Sequence, residues 1–254
     1  MARLEGKIAV VTGGGRGIGR AVAIRLAQEG AAVAVNYRSD RKSATAVVDE
    51  LTDHGHRAVA IQADVSDPDQ TGRLMDQAAQ TLGGLDILVS NAGTEHFGAL
   101  PEITPADFDR VFATNTRGQL FAVQHAARHM GPGSRILLSS SVSACKSVFH
   151  HTLYAASKAA VEAMALNLAP ELAQRDITIN AIAPGGTITD MSDEFAPRYI
   201  HPDLPIDHDT AVRAMTALGR WAEPSEIAAA VAFLVSADAS YITGRTIPVD
   251  GGFF

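Results

Sequence analysis

The chain has 254 residues, enough for one large α/β domain or two smaller ones. Its 21 basic and 28 acidic residues leave a formal charge of -7, so there is no broad cationic surface for a phosphate backbone or an anionic lipid, and nucleic acid is not an expected partner. No apolar run approaches the roughly 20 residues that span a bilayer, and Cys145, the sole cysteine, excludes an intrachain disulfide and a cysteine-held metal. A soluble, cytoplasmic protein without a membrane segment is expected, with Cys145 as a small core or helix-edge residue.

In chain order, apolar β-branched runs alternate with amphipathic stretches. Lys7 to Val11, Val33 to Tyr37, Ala58 to Ile61, Asp86 to Val89, Arg135 to Ser139, Ile177 to Ala183 and Thr246 to Val249 read as strands. Unbroken apolar runs such as Ile8-Ala-Val-Val11 suit strands covered on both faces, as a parallel sheet requires. The alternation predicts a doubly wound α/β sheet of about seven strands, a Rossmann fold, with helices on both faces. No linker, repeat or charge block divides residues 1–254, so a single domain is expected. The least regular stretch is 185–218, where Pro197, Pro202 and Pro205 interrupt any long helix; a substrate lid is the expected use of so long a segment.

The first predicted strand runs into Thr12-Gly-Gly-Gly-Arg-Gly-Ile-Gly19, and a helical pattern from Arg20 to Glu29 follows. Glycines permit a tight turn and a close approach of backbone to pyrophosphate, and the helix start offers unpaired N–H groups. Gly13, Gly15, Arg16, Gly17, Ile18 and Gly19 are therefore candidate cofactor contacts. A dinucleotide fold that prefers NAD usually ends its second strand with an acid for the ribose hydroxyls. Here Asn36-Tyr-Arg-Ser39 stands instead, with Asp40 the nearest acid. Arg38, beside Ser39, can pair with a 2'-phosphate in a charge-assisted contact, and Arg16 can approach the same group, so NADP(H) is the predicted cofactor.

Tyr154 and Lys158 lie four apart in an alanine-rich helical stretch, Thr152 to Gln174, and share one face. A free phenol ionises near pH 10. The ammonium beside it, with the positive nicotinamide, is expected to favour the phenolate and lower that value. A second long amphipathic helix is predicted from Pro105 to Met130. Nine histidines make no metal site, since no HExxH spacing occurs and the neighbours His150 and His151 point apart. Phe149, His150 and His151 are candidates for the substrate mouth. Trp221 reads as packing, and Phe253-Phe254 as an interface or cleft pair.

The spacing Thr12-Gly-x-x-x-Gly-x-Gly19 resembles the cofactor motif of the short-chain dehydrogenases/reductases. Further signatures follow in that family's order: Asp64-Val65, Asn91-Ala-Gly93, Asn115, Ser141, Tyr154-x-x-x-Lys158 and Pro184-Gly185, over nearly the whole chain. The resemblance implies that Asp64 and Val65 meet the adenine, and that Asn91, Ala92 and Gly93 shape the floor of the cleft. It further implies that Pro184, Gly185, Thr187 and Thr189 lie near the nicotinamide, and that Lys158 also binds its ribose. Thr187 departs from the branched aliphatic residue of many relatives, a change that a backbone contact survives.

Ser141 resembles the serine that orients the substrate carbonyl, with Ser140 as the alternative if the register slips. Asn115 resembles the asparagine that holds a relay water beside the lysine; as a bare residue it reads as a polar helix position making a local hydrogen bond. Asp64 likewise reads as a strand-end cap for a helix starting near Pro68. The implied activity is hydride transfer from NADPH to a small-molecule ketone, with Tyr154 as proton donor and a homotetramer as the assembly. Phe108 to Phe112, Asn115 to Gln119, Ala183 to Gly186, Thr189 to Met191 and Arg198-Tyr-Ile200 resemble the naphthol reductases and aromatic-polyketide ketoreductases. Tyr199 falls where that branch stacks an aromatic on a flat ligand, and it reads equally as a residue packed on its own loop. A 3-oxoacyl-carrier-protein reductase and a non-catalytic dinucleotide sensor share parts of the pattern.

Overall fold

The computed structural model describes residues 3–199, 201, 203 and 206–253; Ile200, Pro202, Pro205 and Phe254 lie outside them. Seven strands form one parallel sheet: β1 (Ile8–Val11), β2 (Ala32–Tyr37), β3 (Ala58–Gln62), β4 (Ile87–Ser90), β5 (Arg135–Ser139), β6 (Thr178–Pro184) and β7 (Thr246–Val249). Their order is β3-β2-β1-β4-β5-β6-β7, so the winding reverses between β1 and β4. Neighbouring carboxyl ends part company there, and open α/β sheets place their ligands outside such a point.

Side chains alternate across the sheet. Val10 faces one buried cluster with Leu74, Met75, Val123 and Val161, while Ala9 and Val11 face another with Val22, Leu26, Val47 and Val231. The first cluster lies under α3 (Pro68–Leu82), α5 (Gly118–Ala126) and α6 (Thr152–Ala173). The second lies under α1 (Gly17–Gln28), α2 (Arg41–Asp53) and α9 (Pro224–Leu234). Burial on both faces explains the unbroken apolar runs of the central strands.

Two expected helices are built differently. α1 starts at Gly17, inside the glycine turn and three residues before the predicted start, because glycine's poor propensity masks a helix that backbone packing enforces. The stretch predicted as one helix from Pro105 is divided into α4 (Pro105–Phe112) and α5 by a wide turn at Ala113–Arg117, and α5 ends at Ala126. A single inserted residue leaves amphipathic periodicity almost intact. The stretch 185–218 is also more regular than its prolines suggest, holding α7 (Asp190–Phe195), a tight turn Ala196–Tyr199 and α8 (His208–Met215).

Gly19 is where α1 meets the turn: a Cβ there would lie 2.1 Å from the Gly13 carbonyl oxygen and 2.6 Å from Asn91 Nδ2. Backbone cannot yield as a side-chain tip does. Gly19→Ala is expected to cost about 3 kcal/mol, the upper part of the overpacking range, seen as a lower urea midpoint at unchanged slope. An unchanged midpoint would contradict the close approach.

Candidate active site

The glycine turn is held from both sides. Asn91 N and Ala92 N donate to Thr12 Oγ1 at 2.9 and 3.0 Å, and Asn91 Nδ2 donates to the Thr12 carbonyl at 3.1 Å. On the opposite side, Gly13 N donates to Asn36 Oδ1 at 3.3 Å and Gly14 N to the Asn36 carbonyl at 2.9 Å. Asn36, buried at the end of β2, reaches on to the carbonyls of Ile61 and Ala63. At the start of α1 no side chain caps the helix and no acid lies in its first turn. These N–H groups and the bare glycine surface fit a pyrophosphate.

A cavity of about 1050 Å³ runs from this turn past Arg38, Ser39, Asp64 and Val65 to Gly93, Ser141, Tyr154, Lys158, Gly185 and Tyr199. Arg38 is exposed at its rim. Asp40, the acid nearest the end of β2, caps α2 by accepting from Ser43 N and Oγ. The donor set at this end thus suits a phosphate better than a pair of ribose hydroxyls. Arg16 lies 3.9 Å from Asp190, with both side chains largely exposed. Asp64 accepts from Ser66 N and Oγ, while α3 is capped by Asp67, so the strand-end capping role belongs to the latter. Thr187 is buried and its Oγ1 donates to the Gly185 carbonyl; Thr189 Oγ1 accepts from Ser192 N at the start of α7. Gly185 abuts Asp250, and Gly186 abuts the Trp221 ring, where a Cβ would fall 2.6 Å from Nε1.

β5 and α6 bring the expected reacting residues together. Lys158 is buried, donates from Nζ to the Ser139 carbonyl at 2.9 Å, and lies 5.4 Å from the centre of the Tyr154 ring. Ser141 hydrogen bonds to Tyr154 and accepts from Ser143 N. Ser140 instead donates to Glu162 Oε1 and the Lys158 carbonyl, which turns it into α6 and away from the reacting phenol. Asn115 sits in the wide turn, with Oδ1 accepting from Thr94 N at 2.8 Å and Nδ2 donating to the Thr94 carbonyl and Ser157 Oγ.

The electrostatics differ from the expectation. Burial raises the Tyr154 phenol well above its ordinary range and the Glu95 carboxylate adds to this, while the hydrogen bond with Ser141 pulls the other way. The protein's own groups therefore favour the protonated phenol, the form a proton donor needs. Burial lowers Lys158 to about 8, against an opposing pull from Glu95. At Tyr154 the loss of hydration and the neighbouring charge act together, whereas at Lys158 the loss of hydration outweighs that charge.

Glu95 and His151 were not among the expected reacting groups. Both side chains are 1% exposed and joined at 2.5 Å, Glu95 Oε1 to His151 Nε2. Tyr199 donates its hydroxyl to Glu95 Oε2 at 2.8 Å. The His151 ring stacks on Tyr154 at 4.6 Å and on Phe97 at 4.3 Å, with Tyr199 edge-on to His151 and Phe97. An acid just after Asn-Ala-Gly and a histidine three before the tyrosine are the only signals in the chain, and neither discloses the pairing. Phe149 and His150 are exposed outside this cluster, and Phe253 lines the cavity. Cys145 is exposed at the end of a short helical turn, Val142–Ala144, at the helix-edge position of the two expected for it.

The family model described as enoyl-(acyl carrier protein) reductase matches residues 13–254. A hydroxynaphthalene reductase-like protein Arp2 of Metarhizium majus is 48% identical over 254 residues, covering 98% of this chain and 95% of that protein. Versicolorin reductase stcU of Emericella nidulans is 46% identical, covering 99% and 97%. A short-chain dehydrogenase of Burkholderia cenocepacia, solved in complex with NADP, superimposes with a TM-score of 0.90 at 42% identity, covering 98% of each chain.

The lowered Lys158 value has a direct consequence for stability. Between pH 8 and 10.5 the unfolded chain binds this proton and the folded chain releases it, so stability rises with pH across that window. The unfolding free energy of the wild type relative to Lys158→Met is expected to grow by up to about 3 kcal/mol from pH 8 to 10.5. The gain is present above the upper limit and lost as pH falls through the lower one. A flat or falling difference in denaturant titrations contradicts the buried ammonium.

Proposed function

Because the chain belongs to the short-chain dehydrogenase/reductase family, we propose that it is an NADPH-dependent carbonyl reductase whose substrate is a flat aromatic ketone, naphthol-type compound or quinone. The observation that carries this reading is the meeting of Ser141, Tyr154 and Lys158 at the far end of the cleft that opens at the glycine turn. NADPH, when bound, supplies the hydride. Gly13, Gly15, Gly17, Ile18 and Gly19 would hold its pyrophosphate, and Arg16, Arg38 and Ser39 its 2'-phosphate end. Asp64 and Val65 would meet the adenine. Asn91, Ala92 and Gly93 would lie under the ribose, while Pro184, Gly185, Thr187 and Thr189 would meet the nicotinamide end.

Ser141 donates to the carbonyl oxygen and orients it, which stabilises developing negative charge more than it stabilises the ground state. Tyr154 passes its proton to that oxygen. Lys158, anchored on the Ser139 carbonyl, favours the phenolate left behind and also holds the cofactor ribose. For Asn115 the geometry favours support over direct relay, since both ends of its amide are bonded to Thr94 and Ser157 beside Lys158.

Phe97 and Tyr199, backed by the buried His151 ring, form an aromatic wall next to Tyr154, and the named reductases of Metarhizium and Emericella support a planar polyketide-like substrate. A 3-oxoacyl carrier protein is less favoured: Asp40, Glu102, Asp107, Asp190 and Glu194 are interspersed with Arg16, Arg38, Arg110, Lys146 and Arg198 around the cavity, so among the described residues its rim carries mixed charge and offers an acidic partner no basic patch. A non-catalytic sensor would not need the Ser141, Tyr154 and Lys158 constellation. We assign 1–254 to one domain with 185–218 as its lid. We also assign the chain to a cytoplasmic homotetramer, supported by exposed Phe108, Leu120 and Leu166 on α4, α5 and α6. Among the described residues no helix is long and apolar enough to cross a membrane.

Tyr154→Phe is expected to lower kcat by about 100-fold to 10000-fold, the worth of a positioned general acid, while NADPH binding measured by fluorescence titration stays near the wild-type value. Substantial residual turnover would sink the assignment. Arg38→Asp should raise the KM for NADPH by roughly tenfold or more and leave that for NADH nearly unchanged; equal losses would overturn the phosphate contact.

A further inference from the structure

We propose that Glu95 and His151 are positioning residues that fix the width and tilt of the aromatic slot beside Tyr154. The Glu95 carboxylate latches the Tyr199 hydroxyl at 2.8 Å and the His151 imidazole at 2.5 Å, and His151 stacks on the Tyr154 ring. The nature of the slot's occupant rests on the carbonyl-reductase reading. The latch itself is a property of the fold.

A carboxylate this deeply buried is costly unless its oxygens are matched by donors. Three donors meet it: His96 N at 3.0 Å and His151 Nε2 on Oε1, and the Tyr199 hydroxyl on Oε2. They come from the loop after β4, the approach to α6, and the turn after α7. Glu95 thus joins three segments that no strand or helix connects. His151 Nδ1 is buried without a hydrogen-bond partner, so the ring is held by Glu95 on its other nitrogen and by stacking against Phe97 and Tyr154.

The arrangement also decides how Tyr199 behaves. A tyrosine that merely packed on its own loop would not need a buried acceptor. This one is fixed by its hydroxyl, with its ring edge-on to His151 at 79° and to Phe97 at 86°. The slot wall is therefore set by a hydrogen bond to a charged group, and such bonds are roughly twice as strong as neutral ones. Without it, α7 and the turn after it lose an attachment to the wall that carries Tyr154.

The test combines amide hydrogen exchange with kinetics. In Tyr199→Phe and in Glu95→Gln, which keeps the buried volume, exchange of Asp190–Phe195 is expected to quicken about tenfold, with the double variant no faster than the faster single one. Unchanged exchange in both single variants overturns the latch, whatever the enzyme reduces. With α-tetralone and NADPH, Tyr199→Phe is expected to raise the KM for the ketone about fivefold while changing kcat less than twofold. An unchanged KM despite faster exchange overturns the role in the slot. If the wild type reduces no ketone at all, the carbonyl-reductase reading fails, and the exchange measurement still decides the latch.

Discussion

Thr12 Oγ1 accepts from two successive amides, Asn91 N and Ala92 N, and so clamps the end of β1 to the end of β4 where the winding of the sheet reverses. Asn36 completes the hold from β2 by accepting from Gly13 N and Gly14 N and donating to β3 and the residue beyond it. The amides of the turn that face the sheet are thereby paired within the protein. Those at the start of α1, which face the cleft, have no side-chain cap. An anion bound there would replace water and no internal partner, which is why a loop of this kind serves a phosphate without first being opened.

Much of this was legible in the chain. Continuous apolar runs identified the parallel sheet because burial on both faces removes the alternation that marks a half-exposed strand. The four-residue spacing of Tyr154 and Lys158 identified a shared face because a helix repeats near that interval. Asn36, Glu95 and His151 were not legible in the same way. In the sequence Asn36 stands only where an acid is missing, whereas its work is to cross-link the turn to β3. Glu95 and His151 lie 56 residues apart and meet only through the stacking of two loops, so no local period connects them. The wide turn at Asn115 leaves little trace in the sequence because one extra residue shifts a helix face without erasing its pattern.

The charges around Tyr154 follow from the same packing. Glu95 opposes ionisation of the phenol and supports protonation of Lys158, while burial disfavours the charged form of each. Protein groups alone therefore leave the phenol holding its proton. A positive ring nearby would shift the balance toward the phenolate, so the direction of proton transfer is suited to change with the redox state of the cofactor. That coupling is more useful to a reversible reductase than a permanently lowered phenol, which would already have lost the proton it must deliver.

The segment 185–218 touches both ends of the cleft. Near its start, Thr189 packs against the glycine turn, where a Cβ on Gly17 would lie 3.3 Å from Thr189 Cγ2, and Asp190 faces Arg16 at 3.9 Å. At Tyr199 it is tied to Glu95. The two attachments differ in strength for a physical reason. The Arg16–Asp190 pair is exposed and long, a class of contact worth roughly 1 kcal/mol or less, so a phosphate can take Arg16 from Asp190 at small cost. The Tyr199–Glu95 bond ends on a buried carboxylate with few other donors, so its loss would leave charge under-compensated. Arg16's place beside Asp190 is thus compatible with a phosphate contact, and the firmer constraint on the segment lies at the end that faces the reacting tyrosine.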